Sequence, residues 1–150
     1  MSDPHVLGLD LAPTPFTADE IRAGNPDGRR LLVRTRLEGR TTYHCDSFQD
    51  GDADGCALSQ VVTDASGTPV DDPRTSRVTW RELQAHAAFP EAATTVTHER
   101  IRLAVGEVDC LRYDVQRDDG ASTFWFAVDR PGMPLRYASR GAEVEVVEIA

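Results

Sequence analysis

Three aspartates at alternate positions, Asp50, Asp52 and Asp54, form the segment of this sequence that most resembles a set of metal ligands. Carboxylates with this spacing, followed by a glycine such as Gly55, open the loop of many calcium-binding helix–loop–helix motifs. However, Val61 stands where that motif needs a bidentate glutamate, and the flanking residues alternate as strands do. We therefore predict an exposed hairpin loop with no tightly held metal, and calcium binding that is millimolar or weaker.

Cysteines and histidines are the residues that could support nucleophilic catalysis or zinc binding. His44 and Cys45 are adjacent, so on a strand their side chains point to opposite faces and cannot form a nucleophile–base pair. Cys45 and Cys56 lack a second ligand at the spacing of zinc sites, and Cys110 is typical of a buried strand thiol. No catalytic residue, metal or cofactor is predicted locally. An enzyme would need a site built from distant residues, such as His86 with a cysteine and a carboxylate.

Arginines recur at alternate positions in two predicted strands, as Arg34 with Arg36 and as Arg100 with Arg102. If these strands are neighbours, four guanidinium groups could bind an anionic ligand. The alternative is that the arginines lie on the solvated face of a sheet.

Residues 122–128 are apolar on both faces of a predicted strand. Phe124 and Phe126 point to one face, and Trp125 points to the other. Both faces should therefore be covered, one by the core and the other by a helix, a cavity or a partner.

Two capping boxes predict where the helices that must cover this strand begin. Thr17 starts a short N-terminal helix that ends near Gly24, and Thr79 starts the main helix. The main helix is predicted over residues 80–89, because Pro90 prevents its continuation.

The rest of the chain alternates as strands joined by tight turns, which predicts an antiparallel meander. A change of phase between Val146 and Val147 indicates a bulge in the last strand. We expect one domain over residues 1–150, with an extended arm over residues 1–15 and a mobile loop over residues 64–77.

Composition restricts the class of protein. The chain has 150 residues and a net charge of −9, which disfavours nucleic acid and anionic membrane surfaces as partners. No apolar run is long enough to span a membrane, and the first residues lack the pattern of a secretory signal. Three cysteines, an odd number, indicate reduced thiols. We therefore expect a soluble, acidic, cytoplasmic protein.

The order of elements and the closing strands resemble a known family. The suggestive residues are 111–115, 124–128, 134–137 and 144–147, in which an aromatic strand precedes a turn and a proline-containing strand. This arrangement is similar to the half-barrel of lipoprotein carriers of the LolA/LolB type and related domains of unknown function. The resemblance implies a curved sheet wrapped round one or two helices, with space for an apolar ligand. Those carriers work outside the cytoplasm, so lipoprotein transport is not inferred.

The sequence therefore predicts a mainly β (α+β) fold, a curved antiparallel sheet packed on one main helix and a short N-terminal helix. The leading hypothesis for function is a non-enzymatic binding module with an apolar pocket between helix and sheet. The alternative is that the same side chains simply fill the core. The candidate ligand-binding residues share a large apolar surface: Trp80, Leu83, Tyr113, Phe124, Trp125 and Phe126.

A second hypothesis is an interaction protein, most simply a homodimer. Residues 143–149 are interpreted as an edge strand with unpaired backbone groups. Glu143 and Glu145 could instead prevent such pairing. An enzyme with a site assembled from distant residues is the third hypothesis.

Overall fold

The structure is a computed structural model that describes residues 3–150. Met1 and Ser2, the first residues of the predicted arm, lie outside the described residues. Within residues 3–150, two α-helices, one short 3₁₀ segment and nine strands follow one another. Their bounds are α1 Ala18–Gly24, β1 Arg30–Leu37, β2 Arg40–Gln49, β3 Gly55–Thr63, β4 Arg74–Thr79, α2 Trp80–Ala85, the 3₁₀ segment Glu91–Ala93, β5 Thr94–Leu103, β6 Gly106–Arg117, β7 Gly120–Ala127, β8 Arg136–Ser139 and β9 Ala142–Ile149.

Both helices begin at the capping boxes that the sequence predicts. The Thr17 hydroxyl accepts a hydrogen bond from the Glu20 backbone N–H, and the Glu20 carboxylate accepts one from the Thr17 N–H. Thr79 and Glu82 repeat the same pair of bonds at the start of α2. Each box satisfies two backbone donors that a helix N-terminus would otherwise leave unpaired.

The predicted end of the main helix is wrong. The helix α2 stops at Ala85, and residues 86–87 form a turn. Ala87 and Ala88 donate to backbone carbonyls three residues earlier. Pro90 prevents the helix from continuing past residue 89, but it does not require the helix to reach that residue.

All nine strands form one curved antiparallel sheet in the order β4-β3-β2-β1-β9-β8-β7-β6-β5. The sheet therefore consists of two meanders, β1–β4 and β5–β9, that are joined where β1 pairs with β9. The predicted bulge is present, because Leu32 lies opposite Glu148 while Val33 lies opposite Val146. Val147 is the extra residue.

Two predictions about the sheet need correction. The strand β4, Arg74–Thr79, occupies the end of the segment 64–77 that was predicted to be a loop. The strand β9 is central, between β1 and β8, so residues 143–149 are not an edge, and the edges are β4 and β5. Glu143 and Glu145 consequently form ion pairs across strands, with Arg136 and Arg34.

The two predicted arginine pairs do not gather into one site. Arg34 and Arg36 lie on β1, which is separated from β5 by four other strands in the sheet. Arg100 and Arg102 pair instead with carboxylates of the adjacent strand β6.

The core lies between the helices and one face of the sheet, here called the helix-covered face. Val33, Val115, Phe126 and Val146 are its largest fully buried apolar side chains apart from cysteine. The segment before α1 also packs here, because the Ala12 N–H donates to the Phe89 carbonyl at 2.8 Å. The opposite face carries mostly polar and charged side chains near its centre, where strand alternation places Arg34 and Trp125.

Candidate functional site

A cavity of about 450 Å³ lies between α1, α2 and the helix-covered face of the sheet. Its volume is within the range of about 300–1,000 Å³ that small-molecule sites occupy. Side chains from both helices, from six of the strands and from the β7–β8 loop line it. The apolar part of the lining consists of Ile21, Val33, Phe48, Leu58, Leu83, Ala87, Phe124, Phe126, Met133, Pro134, Tyr137 and Val144.

Three of the six predicted ligand-binding residues line this cavity: Leu83, Phe124 and Phe126. Phe124 and Phe126 belong to the same face of β7, as their alternation predicts, and Leu83 faces them from α2. Phe124 also stacks on Phe89, with ring centroids 4.8 Å apart, and on Tyr137 at 5.6 Å. The helix α2 therefore contributes to the wall of the cavity through Leu83.

Trp80 and Tyr113 are core residues and do not line the cavity. The Trp80 indole N–H donates to the Asp52 carbonyl at 2.8 Å, which directs the ring toward the aspartate loop. The Tyr113 hydroxyl donates to the Pro13 carbonyl at 2.7 Å, and burial raises the pKa of this phenol to about 12. Both aromatic groups are held by backbone carbonyls that the sequence pattern does not reveal.

Trp125 lies on the opposite face, so its assignment to the pocket is wrong. The guanidinium groups of Arg112 and Arg136 lie over its ring, 5.4 Å and 5.1 Å from the centroid. These arginines are its cross-strand neighbours on β6 and β8. Its buried Nε1 atom has no hydrogen-bond partner among the described residues. The second apolar face of β7 is therefore covered by arginine side chains and not by a helix.

One end of the cavity is polar, and sequence analysis missed it. The Gln60 side-chain amide donates to Oδ1 of Asp46 at 3.0 Å, and Nε2 of His44 is 3.5 Å from the same oxygen. The side chain of Asp46 is only 9% exposed. A signal existed, since alternation along β2 places Asp46 on the same face as Phe48. An acidic residue at a core-facing position is unusual.

A second cavity of about 300 Å³ adjoins the first, and Asn25, Gly132 and Met133 line both. The Asn25 amide donates to the Ile21 carbonyl at 2.8 Å and to the Pro131 carbonyl at 2.9 Å. This side chain thereby ties the β7–β8 loop to the end of α1. The guanidinium-bearing residues Arg29 and Arg130 also line the second cavity.

The aspartate loop is an exposed hairpin connection between β2 and β3, as predicted. The Asp52 carboxylate accepts hydrogen bonds from the backbone N–H groups of Gly55 and Asp54, and it pairs with Arg77. These backbone bonds, with the Arg77 charge, lower the pKa of the Asp52 carboxyl. Across residues 3–150, no group of three or more histidine, cysteine or acidic side chains is arranged to hold a metal ion. Weak calcium affinity stays a prediction.

The third hypothesis required a histidine, a cysteine and a carboxylate in one pocket. His86 lines the cavity together with His44 and Asp46. Cys45, Cys56 and Cys110 are free and buried and do not line it. The cavity therefore does not contain the cysteine-based arrangement.

The fold and the cavity define an α+β domain in which one curved antiparallel sheet and two short helices border a mainly apolar cavity. None of the described helices is long and apolar enough to cross a membrane. No family model and no curated protein matches the sequence.

Solved structures do match the fold. The chain is similar to MucB in a crystal structure of MucB in complex with MucA(peri), with a TM-score of 0.54, 12% identity and 85% of this chain covered. It is also similar to the Pseudomonas aeruginosa MucA/MucB complex, with a TM-score of 0.55, 12% identity and 87% covered. This chain spans about half of those chains, 51% and 53%. The likeness shows a shared fold.

A further match is an outer membrane lipoprotein-sorting protein domain from Vibrio parahaemolyticus. Its TM-score is 0.32 at 9% identity, with 89% of each chain covered. At that score the match does not add to the argument for the fold.

Proposed function

We propose that this protein is a binding module that holds an apolar small molecule in the cavity between α2 and the sheet. The observation that carries the proposal is the cavity itself, about 450 Å³ and lined mainly by apolar side chains from helices and sheet together. Apolar side chains that line a cavity of this size present surface to water, and a ligand that buried this surface would bind favourably.

A cavity-filling substitution tests it. Leu83→Trp places a larger side chain in the cavity, whereas Ala85→Trp, at the exposed end of the same helix, is the matched control. The probe is 1-decanol, which is uncharged and flexible. At a concentration about 100 times its dissociation constant, a ligand that binds only the folded state stabilises it by about 2.7 kcal/mol. That corresponds to a rise in Tm of about 5–10 °C for a domain of this size.

We expect 1-decanol to raise the Tm of the wild type and of Ala85→Trp but not that of Leu83→Trp. A native mass spectrum of the purified protein, which shows any retained ligand as added mass, provides a second measurement. No added mass and no rise in Tm would refute the proposal, and the apolar side chains would then only fill the core.

A second candidate function is protein binding at a sheet edge. The strand β5, Thr94–Leu103, pairs only with β6, and Val96 on it is 42% exposed. An edge strand offers unpaired backbone groups to another strand. MucB, whose fold is similar, is seen in complex with another protein. A homodimer through this edge would appear as a dimer in analytical ultracentrifugation. A monomer at high micromolar concentration would exclude the homodimer.

We retain a cytoplasmic location as part of the proposal, on the argument from the odd number of cysteines. Fractionation of cells that express the protein, with a marker protein for each compartment, would test it. Recovery with the cytoplasmic marker supports the location, and recovery with an exported marker contradicts it.

A further inference from the structure

Asp46 places a carboxyl group in the wall of a mainly apolar cavity. Its side chain is 9% exposed, and the residue lines the cavity together with His44 and Gln60. Burying a carboxylate is costly unless other groups compensate its charge. The groups that face Asp46 therefore show whether other groups of the protein already compensate its negative charge.

The protein compensates this carboxylate only in part. Oδ1 receives the hydrogen bond from Gln60 and lies 3.5 Å from Nε2 of His44, which carries a charge only when protonated. Among the described residues, His44 is the ion-pair partner of Asp46 and no arginine lies within 4 Å of its carboxylate, while Oδ2 accepts no hydrogen bond from a side chain or backbone group. The chain contains no lysine. A cation from outside the protein is the group that would complete this environment.

Aromatic rings surround the same space. Phe48, Phe124, Phe126 and Tyr137 line the cavity with Asp46. Burial, and then the negative charge of Asp46, raise the pKa of the Tyr137 phenol. The field of the carboxylate therefore extends to the aromatic side of the cavity. The faces of aromatic rings attract ammonium groups, and a nearby carboxylate adds to that attraction.

We propose that the cavity selects a ligand with an apolar chain and a cationic ammonium head, and that the Asp46 carboxylate is the counter-ion of that head. This inference rests on the proposed function, because it names the class of ligand that the apolar cavity takes. The net charge of −9 acts in the same direction, since it raises the local concentration of cations around the protein.

The first test compares three ligands with the same ten-carbon chain and different heads: decyltrimethylammonium, 1-decanol and decanoate. Titration calorimetry on the wild-type protein, with each compound below its micelle concentration, gives the dissociation constants. We expect the ammonium compound to bind about tenfold more tightly than 1-decanol, or about 1.4 kcal/mol, and decanoate to bind most weakly. Decanoate that binds more tightly than the ammonium compound would overturn the inference and would indicate Arg29 and Arg130 as the head-group site.

The second test removes the charge without changing the size of the side chain. Asp46→Asn should lower the affinity for decyltrimethylammonium about tenfold and leave that for 1-decanol nearly unchanged. Asp72→Asn, at an exposed position of the β3–β4 loop, removes one charge elsewhere and should retain the preference. Equal effects of the two substitutions would overturn the inference, because the preference would then come from net charge alone.

The two proposals fail in different ways. If 1-decanol binds and the ammonium compound binds no more tightly, the role of Asp46 is wrong while the cavity still binds apolar molecules. If none of the three compounds binds, the proposed function itself is wrong. If Asp46→Asn does not fold, the three ligands on the wild type still decide the question.

Discussion

Gly55 is the position where a single methyl group should do most damage to this fold. A Cβ atom added there would lie 1.9 Å from the Val78 carbonyl oxygen and 2.9 Å from the Thr79 Cα atom. Both are backbone atoms of the neighbouring strand β4, so a side-chain rotation cannot relieve the contact. The strands β3 and β4 would have to separate where Gly55 pairs with Thr79.

The cost of Gly55→Ala follows from three effects. Overpacking costs about 1–3 kcal/mol, and each hydrogen bond lost near the contact costs about 1 kcal/mol. The Gly55 N–H bond to the Asp52 carboxylate and the Trp80 N–H bond to the Asp54 carbonyl are both at risk. Alanine also lowers the conformational entropy of the unfolded chain, which offsets only about 0.4–1 kcal/mol of this loss in stability. We therefore expect a net loss of about 3 kcal/mol in the free energy of unfolding.

Urea unfolding measures this loss, with m checked for constancy so that the change in midpoint reports stability. Gly51→Ala is the control in the neighbouring loop, because its Cβ would meet side-chain atoms alone, Oδ1 of Asp27 at 3.1 Å and Cζ2 of Trp80 at 3.6 Å. We expect the control to change stability by less than about 1 kcal/mol. A loss of less than about 1 kcal/mol for Gly55→Ala would refute the argument from backbone contact.

Three further predictions concern groups whose partners are known. Tyr113→Phe should cost about 1–2 kcal/mol in chemical unfolding, because it leaves the Pro13 carbonyl without its donor. The pKa of Tyr113 in the folded protein, about 12, lies above its ordinary value of 10.0. The contribution of Tyr113 to the free energy of unfolding is therefore complete below pH 10 and is lost as the pH rises toward 12. The fall in Tm over that interval should accordingly be smaller in Tyr113→Phe than in the wild type. Burial raises the pKa of Cys110 to about 11. A thiol reagent at pH 8 should therefore label Cys110 only after the protein is unfolded in guanidinium. Rapid labelling of Cys110 in the folded protein would contradict its burial. Thr79→Ala should destabilise the protein by about 1 kcal/mol in urea unfolding, through loss of the cap on Glu82, and no change would show that this cap is dispensable.

The parts of the fold that the sequence predicts well depend on residues close together in the chain, through local hydrogen bonds or the alternation of apolar residues. Thr17 and Thr79 determine where the helices begin, because each capping box involves residues only three positions apart. The bulge at Val147 was readable because it shifts the alternation of apolar residues within one strand. The alternation also assigned Phe124 and Phe126 correctly to one face.

Features that depend on pairing between distant segments were not predictable in this way. The strand β4 was missed because an exposed edge strand of polar residues has the composition of a loop. The central position of β9 follows from its pairing with β1, which no local pattern encodes. Trp125 was misassigned for the same reason, because the arginines that cover its ring come from neighbouring strands. The alternation along β2, in contrast, already placed Asp46 on the face of Phe48.

The pairing of β1 with β9 also affects how this chain can reach its folded state. Thr35 lies opposite Val144, so forming the contact closes a loop that contains most of the described chain. Domains rich in such non-local pairings fold slowly. Until this contact forms, β1 and β9 are both open edges, and the apolar side chains of Val33 and Val146 lie along them. The strands β1 and β9, which are central in the folded sheet, are thus the strands most prone to aggregation before folding is complete.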